Sequence, residues 1–404
     1  MRFRLYPTPG QEQKLQDHCC QARCIWNLAL EQHNYYRLLL RPSPNSKEQS
    51  KQLTKLRAAH DWLAAGSATA QQQALRDLDQ AFRNWWDNPR HFGRPTWRVK
   101  GRHESFRVVG APAKRYERLS KHRARVNVPK VGWIDFRWSK SPGNPKSYRI
   151  KQDTAGRWWI SFAVKPEPLK GPGDSSSIGI DRGVAHAFIT SEGAFHDLPK
   201  LQLTEKKRLL RLERKLARQQ KGSGRRERTK QAIAKIKHRE INRGKDLIEK
   251  LTTSLAQDYD QIYLEDLKTQ AMTRSAKGTV EQPGSNVRAK AALNREILAS
   301  GWGLFTRRLE DKAPGRIIKI NPAYTSQTCN ACGITDRNSR QSQTLFRCRT
   351  CGHENNADIN AALNIQAAGQ AVSGRGGTVR PVVASAAAGK PDEISTTGNV
   401  LCAA

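Results

Sequence analysis

Short alternating runs and longer stretches of helical periodicity divide the chain into regions of different texture. Arg2–Tyr6 alternates apolar and polar residues and predicts a strand. Thr8, Pro9 and Gln11 then supply a hydroxyl N-cap, a proline for the first helical turn and a capping-box partner. Leu15, Cys19, Ala22, Trp26 and Leu30 follow at helical spacing, and Leu75, Leu78, Phe82 and Trp85 mark another amphipathic helix. Arg41–Ser46 and Ala64–Ala70 read as the loops between helices. From Phe92 to Lys165 the pattern changes to short β-like runs at Phe106–Val109, Ala124–Val128, Trp133–Trp138, Ser147–Ile150 and Trp158–Val164. Five such runs at this spacing predict a small barrel or sandwich.

Lys170–Ser177 (KGPGDSSS) is a linker, after which a third texture begins. Ile178–Asp181 and Val184–Thr190 predict two strands joined at Arg182-Gly183, with a third near Ala194–His196. A charged helical region runs from Leu201 to about Ala256, broken at Gly222–Gly224. Its predicted buried stripe is Leu209, Leu212, Leu216, Ile233, Ile236 and Ile241. Then come a strand at Gln261–Glu265, a helix at Asn294–Leu309 buried through Leu298, Trp302, Phe305 and Leu309, a strand at Arg316–Ile320 and a helix at Asp358–Ala367. The order β-β-β-α-β-α-β-α is that of an RNase H-like fold. Beyond Gly369 small residues lose all periodicity and predict a flexible tail, 369–404.

Charge changes the picture next. The 404 residues hold 71 Lys and Arg against 36 Asp and Glu, a formal charge of +35. So positive a surface repels itself unless a polyanion shares it, and nucleic acid is the commonest such partner. No apolar run approaches a membrane span, and Met1–Gly10 lacks the apolar centre of a secretory signal, so the expectation is a cytoplasmic protein without membrane association. Leu201–Lys250 alone carries 18 Lys and Arg against 6 acids, more than a self-paired helix face needs, and Arg225 and Arg226 lie within it. Between Trp85 and Arg102, aromatic residues alternate with Arg90, Arg94, Arg98, Lys100 and Arg102, mixing stacking planes with phosphate donors.

Two constellations carry chemistry. Cys329-x-x-Cys332 and Cys348-x-x-Cys351, each followed by glycine and fifteen residues apart, form a four-thiolate set suited to a structural zinc ion with no open position. A pair of disulfides would need an oxidising compartment. His18, Cys19, Cys20 and Cys24 are expected to be helix core rather than a second metal site. Asp181, Glu265 and Asp358 sit at the ends of predicted core elements. In an RNase H-like sheet the first and fourth strands are neighbours, so the three carboxylates converge. Such a cluster suits two divalent cations roughly 4 Å apart that activate water for phosphodiester hydrolysis.

These residues resemble a known family. Gly179–Val184 (GIDRGV), Leu264–Leu267 (LEDL), Thr325–Gly333 (TSQTCNACG), Phe346–Gly352 (FRCRTCG) and Asp358–Ile365 (DINAALNI) are similar to the RuvC-like nuclease and zinc-ribbon motifs of the transposon-encoded TnpB nucleases and the compact type V CRISPR effectors. Phe3–Pro9, Ile25–Leu28 and Gly93–Arg102 resemble that family too. The resemblance implies an α/β multidomain protein. A β-barrel wedge domain (1–10 and 91–170) with a helical recognition lobe (11–90) would precede a RuvC-like nuclease domain (171–324 and 354–368). A zinc ribbon (325–353) that binds target nucleic acid would be inserted in it. It also implies an RNA-guided endonuclease of double-stranded DNA, monomeric with its guide RNA, that recognises a short target-adjacent motif. Asp181, Glu265 and Asp358 would bind Mg2+ and the four cysteines Zn2+. An RNase H-fold transposase and a guided, non-cleaving repressor are the competing readings.

Overall fold

The computed structural model describes residues 1–374 and begins with strand β1 (Arg2–Tyr6), whose Phe3 and Leu5 are buried while Arg2 and Tyr6 are exposed. Thr8 caps α1 (Pro9–Leu38) in a complete capping box: Gln11 N–H donates to Thr8 Oγ1 and Thr8 N–H to Gln11 Oε1. The buried stripe of α1 includes all five residues that periodicity selects, Leu15, Cys19, Ala22, Trp26 and Leu30. Asn45 caps α2 (Ser46–Ala59) through Lys47 N–H and Glu48 N–H. A single turn, α3 (Asp61–Ala64), leads to α4 (Ala68–Asp87), which buries Leu75, Leu78 and Phe82 and leaves Trp85 half-buried.

Six strands follow: β2 (Ser105–Val109), β3 (Tyr116–Arg118), β4 (Arg123–Val128), β5 (Gly132–Arg137), β6 (Ser147–Gln152) and β7 (Trp158–Ala163). With β1 they form a seven-stranded sheet in the order β2-β6-β7-β1-β5-β4-β3, every neighbouring pair antiparallel. The N-terminal strand thus fills the gap between β7 and β5. Phe3, Phe136, Phe162 and Tyr148 pack there with centroid separations of 5.4–5.9 Å. Strand β3, Tyr-Glu-Arg, has no apolar alternation to announce it.

Next come β8 (Ser177–Asp181), β9 (Phe188–Thr190) and β10 (Phe195–His196), then the long helices α5 (Leu203–Ala217) and α6 (Gly224–Asp258). The remaining elements are β11 (Gln261–Glu265), α7 (Thr269–Met272), α8 (Val287–Ala299), α9 (Trp302–Lys312), β12 (Ile317–Ile320), a hairpin of β13 (Leu345–Arg347) and β14 (Glu354–Asn356), and α10 (Ala357–Gly374). A five-stranded sheet runs β10-β9-β8-β11-β12, with β8, β11 and β12 parallel and β9 and β10 antiparallel to their neighbours. Ile178, Ile180, Phe188, Ile262 and Leu264 pack with Trp302, Phe305 and Leu309, and Phe188 stacks on Phe305 at 4.1 Å. Gly179 lets α10 lie directly on β8, because a Cβ there would fall 2.2 Å from the Ala362 carbonyl oxygen.

The described chain divides into two units, Met1–Pro166 with Lys200–Arg243, and Glu167–Pro199 with the chain from Gly244 onward. The segment Lys200–Arg243 therefore groups with the seven-stranded sheet, although sequence order places it inside 171–324.

Several expectations are corrected. The single helix over Asn294–Leu309 is two, because Gly301 takes φ +74° between α8 and α9, and Leu298 is consequently exposed while Ile297 is buried. Only Phe188–Thr190 of Val184–Thr190 pairs as strand. In the basic hairpin Ile233 and Ile236 are buried, but Ile241 is exposed and α5 has no fully buried residue, so the stripe is shallower than its periodicity. Helix α10 continues through 369–374, while 375–404 of the expected tail lie outside the described residues.

Candidate functional site

Two parallel neighbours, β8 and β11, pair in the register Ile180 to Leu264, so the residues that end them, Asp181 and Glu265, emerge at the same sheet edge. Asp358 lies in the first turn of α10, which packs on β8. Asp181 feels the other two carboxylates. Burial, then repulsion from Glu265 and Asp358, pushes the Asp181 carboxyl up to about 7, against the opposing pull of the Arg182 backbone N–H and Arg340. Burial also raises Glu265, partly offset by the Thr325 hydroxyl and the Arg182 charge.

Four residues from outside the acidic set hold it in place. Thr325 Oγ1 donates to Glu265 Oε1 at 2.6 Å. Arg340 Nη2 pairs with Asp358 Oδ1 at 3.0 Å. The buried Arg182 guanidinium donates to the Glu265 carbonyl oxygen and, at 3.1 Å, to Thr306 Oγ1, so it braces the end of β11. Asn356 Oδ1 accepts from the backbone N–H of Asp358 at 2.9 Å and caps α10. Arg182 and Thr325 fall inside motifs that sequence reading marks, but nothing in composition assigns them a partner; Arg340 and Asn356 carry no sequence signal at all.

The four cysteine sulfurs all lie within 4.8 Å of one another and form, among the described residues, the one such cluster of potential metal ligands. The Cys329–Cys351 and Cys332–Cys348 Sγ separations are 3.7 and 3.6 Å, far beyond a disulfide bond. They match the roughly 3.8 Å sulfur–sulfur edge of a tetrahedron with Zn–S bonds of about 2.3 Å. Gly333 and Gly352 close the two knuckles at φ +74° and +73°, where a β-carbon would be strained. On α10, Asn360 and Asn364 donate to the carbonyl oxygens of Thr328 and Thr325, and Asn360 Oδ1 accepts from Asn330 N–H. The cysteine-bearing segment is thereby tied to the helix that bears Asp358, and it supplies both Thr325 and Arg340 to the carboxylates. His18 and Cys19 are core in α1, as expected, but Cys20 faces outward and is exposed and Cys24 is only half-buried, because they lie off the buried stripe.

The predicted phosphate contacts separate by exposure. Arg90, Lys100, Arg102 and Arg225 are exposed. Arg94 is held by Asn34 Oδ1 at 2.7 Å. Arg98 lies 3.5 Å over the Trp26 ring, with burial drawing its guanidinium down to about 10, while Asn27 clamps its backbone on both sides. Arg226 is spent on the carbonyls of Leu216 and Gln219 at the end of α5.

Comparison with known proteins adds three family-model matches: "Cas12f1-like, TNB domain" at residues 302–365, "Probable transposase" at 161–276 and "Helix-turn-helix domain" at 1–37. A protein of Escherichia coli K12 named putative RNA-guided DNA endonuclease InsQ is 34% identical over 379 residues, spanning 92% of both chains. A putative RNA-guided DNA endonuclease of Streptomyces pristinaespiralis is 27% identical across 96% of this chain and 94% of its own. The CRISPR-associated endodeoxyribonuclease Cas12f1 of Sulfoacidibacillus thermotolerans is 53% identical over 55 residues, 14% of this chain and 13% of its own. The fold resembles that of Cas12f1 solved by cryo-EM with sgRNA and target DNA, at a TM-score of 0.51 and 16% identity over 88% of this chain and 81% of that one.

Proposed function

Because this chain belongs to the TnpB family, we propose that it is an RNA-guided DNA endonuclease whose hydrolytic centre is Asp181, Glu265 and Asp358. The observation that carries the reading is geometric: strand register and the packing of α10 on β8 bring these three carboxylates to one edge of the five-stranded sheet. Oxygen donors gathered at one sheet edge suit hard divalent cations, and Mg2+ bound there would supply water activation and stabilisation of the leaving oxygen. Asp181 and Glu265 offer carboxylates from adjacent strand ends, and Asp358 from a helix that the ribbon holds. Thr325 orients Glu265, and Arg340 offsets charge at Asp358. The cysteine tetrahedron fits structural zinc and leaves no open position for chemistry.

On this reading the five-stranded sheet with α10 is a RuvC-like nuclease domain, over 171–324 and 354–368. The seven-stranded sheet is the wedge domain of 1–10 and 91–170, α1–α4 are the recognition lobe of 11–90, and 325–353 form a ribbon for target nucleic acid. Guide pairing supplies sequence specificity while the protein contacts backbone, shape and a short target-adjacent motif. The partners are a structured guide RNA and target duplex DNA, bound by one copy of the chain in the cytoplasm. Among the described residues no helix is long and apolar enough to cross a membrane.

Expression of the full chain with its native flanking sequence, followed by sequencing of copurified RNA, tests the reading. One dominant structured species with a variable 3′ end is expected, and the purified complex should cut matched duplex DNA in Mg2+. Heterogeneous RNA, or joined rather than hydrolysed DNA ends without any RNA requirement, would overturn it.

A further inference from the structure

Alternation along β1 turns Phe3 and Leu5 inward and sends Arg2 and Arg4 to the opposite face of the seven-stranded sheet. In the antiparallel register Arg4 faces Trp159 of β7, and Arg157 lies just before that strand. Three guanidinium groups gather on this one indole, their Cζ atoms 4.0 Å (Arg2), 5.5 Å (Arg4) and 5.6 Å (Arg157) from its centroid.

Asp153 accompanies them, with Glu12 also acting on Arg4, and the capacity of Asp153 is used. Its oxygens accept from Trp159 Nε1, Arg157 Nε and the backbone N–H groups of Ala155 and Arg157, all at 2.9 Å. Asp153 therefore fixes the indole and Arg157, and it is not the ion-pair partner of the other two. Among the described residues neither Arg2 nor Arg4 forms a salt bridge, and Arg4 Nη1 and Arg157 Nη2 are enclosed without a hydrogen-bond partner. A cation–π contact is a weak attraction that satisfies no N–H donor, so one ring cannot balance three crowded cations.

We infer that Arg2, Arg4 and Arg157, mounted on Trp159, form a binding site for a nucleic-acid phosphodiester. The planar guanidinium fork matches phosphate oxygens in a bidentate geometry, and one phosphate met by the exposed Arg2 would offset the crowding of all three cations. Arg2 already covers the ring, which excludes a stacked base as the main ligand. A track for neighbouring phosphates is at hand. The β6–β7 turn meets α6, where Thr154 Oγ1 lies 3.2 Å from His238 Nε2. Adjacent to His238, Arg239 lines a groove of about 300 Å³ between α5 and α6 with Arg208, Arg228 and Lys235. The inference rests on the nucleic-acid reading above for the identity of the polyanion, while the cluster itself is read from geometry.

The test uses the full chain, stripped of RNA in high salt, and the copurifying RNA remade by transcription. Filter binding across a salt series should show Arg2→Gln/Arg4→Gln weakening RNA binding about tenfold near physiological salt, with the log–log salt slope falling by roughly 0.7, as when one phosphate is no longer neutralised. Phenylglyoxal modification read by peptide mass spectrometry should show Arg2, Arg4 and Arg157 protected when RNA binds. The melting temperature of the RNA-free variant should not fall, because removing crowded, unpaired cations costs the fold nothing. If the RNA slope is unchanged but binding of duplex DNA by the RNA-loaded complex weakens, the phosphodiester belongs to the target. Unchanged slopes for both nucleic acids, or a lower melting temperature with unchanged slopes, would overturn the inference. Should the copurified RNA prove heterogeneous, the guided reading fails separately, since the salt slope can be measured with any RNA.

Discussion

The acidic centre of the five-stranded sheet and the arginine cluster of the seven-stranded sheet are electrostatic inverses. Each presses three like charges into a partly dry site. They differ in their relief: Thr325, Arg182 and Arg340 brace the carboxylates through hydrogen bonds, whereas the arginines have one saturated aspartate, a more distant Glu12 and an indole. Other ionic groups in the same protein are balanced. Arg23 places both Glu104 oxygens within 2.9 Å, and Asp77 serves both Arg107 and Arg149. Crowding of one sign beside such balanced pairs marks a place where a ligand of the other sign belongs, and the quality of the bracing separates a centre for chemistry from a surface for holding.

The largest effect that can break this comparison is at the carboxylates. Replacing Asp181, Glu265 or Asp358 by alanine should lower single-turnover DNA cleavage by roughly 10⁴-fold while guided binding in a gel-shift assay survives. Robust metal-dependent cutting by the triple variant would remove the centre from consideration. Thr325→Val should cost about 10–100-fold in cleavage, as loss of a positioning partner does, with Thr325→Ser restoring most of it. Equal defects in Thr325→Val and Thr325→Ser would show that the hydroxyl is not what matters.

Stability sharpens the contrast between balanced and crowded arginines. Arg23→Gln leaves the buried Glu104 unpaired and should lower the melting temperature by roughly 5 °C or more, whereas Arg4→Gln should leave it unchanged. Calorimetry of RNA-free protein would decide, and equal losses would make the two arginines alike. The smallest effect concerns pH. The folded Asp181 carboxyl titrates near 7 against 3.8 for an ordinary aspartate, so its contribution to stability is complete below about pH 4 and is lost as pH rises through 7. In chelator, Asp181→Asn should therefore match the parent near pH 4 and melt roughly 3 °C higher at pH 8. A constant difference across that range would mean that the carboxyl is not perturbed.

Much of this was legible in the chain. The capping box at Thr8, the stripe of α1, the strand Gln261–Glu265 and the paired CxxC knuckles each depend on contacts between residues close in sequence, and all are found as read. Misreadings fell where a local pattern was overruled. Gly301 bends a periodic stretch into two helices, and α5 and α6 form a hairpin that covers little of its apolar stripe. Arg98 illustrates the same limit from the side of function. Its basic, aromatic neighbourhood suggests phosphate contact, yet stacking on Trp26 is visible only once α1 and the 90–102 segment meet.

By itself the sequence determined the excess of positive charge, the spacing of the four cysteines and the three acids at element ends, since these follow from composition and short-range order. Only the tertiary structure decided which charges stand together. Arg340 reaches Asp358, Thr325 reaches Glu265, and Arg2 and Arg4 come to Trp159 across more than 150 residues, because strand register and helix packing, not proximity along the chain, set those distances. Coulomb energy depends on separation and burial, and neither is written in the order of residues.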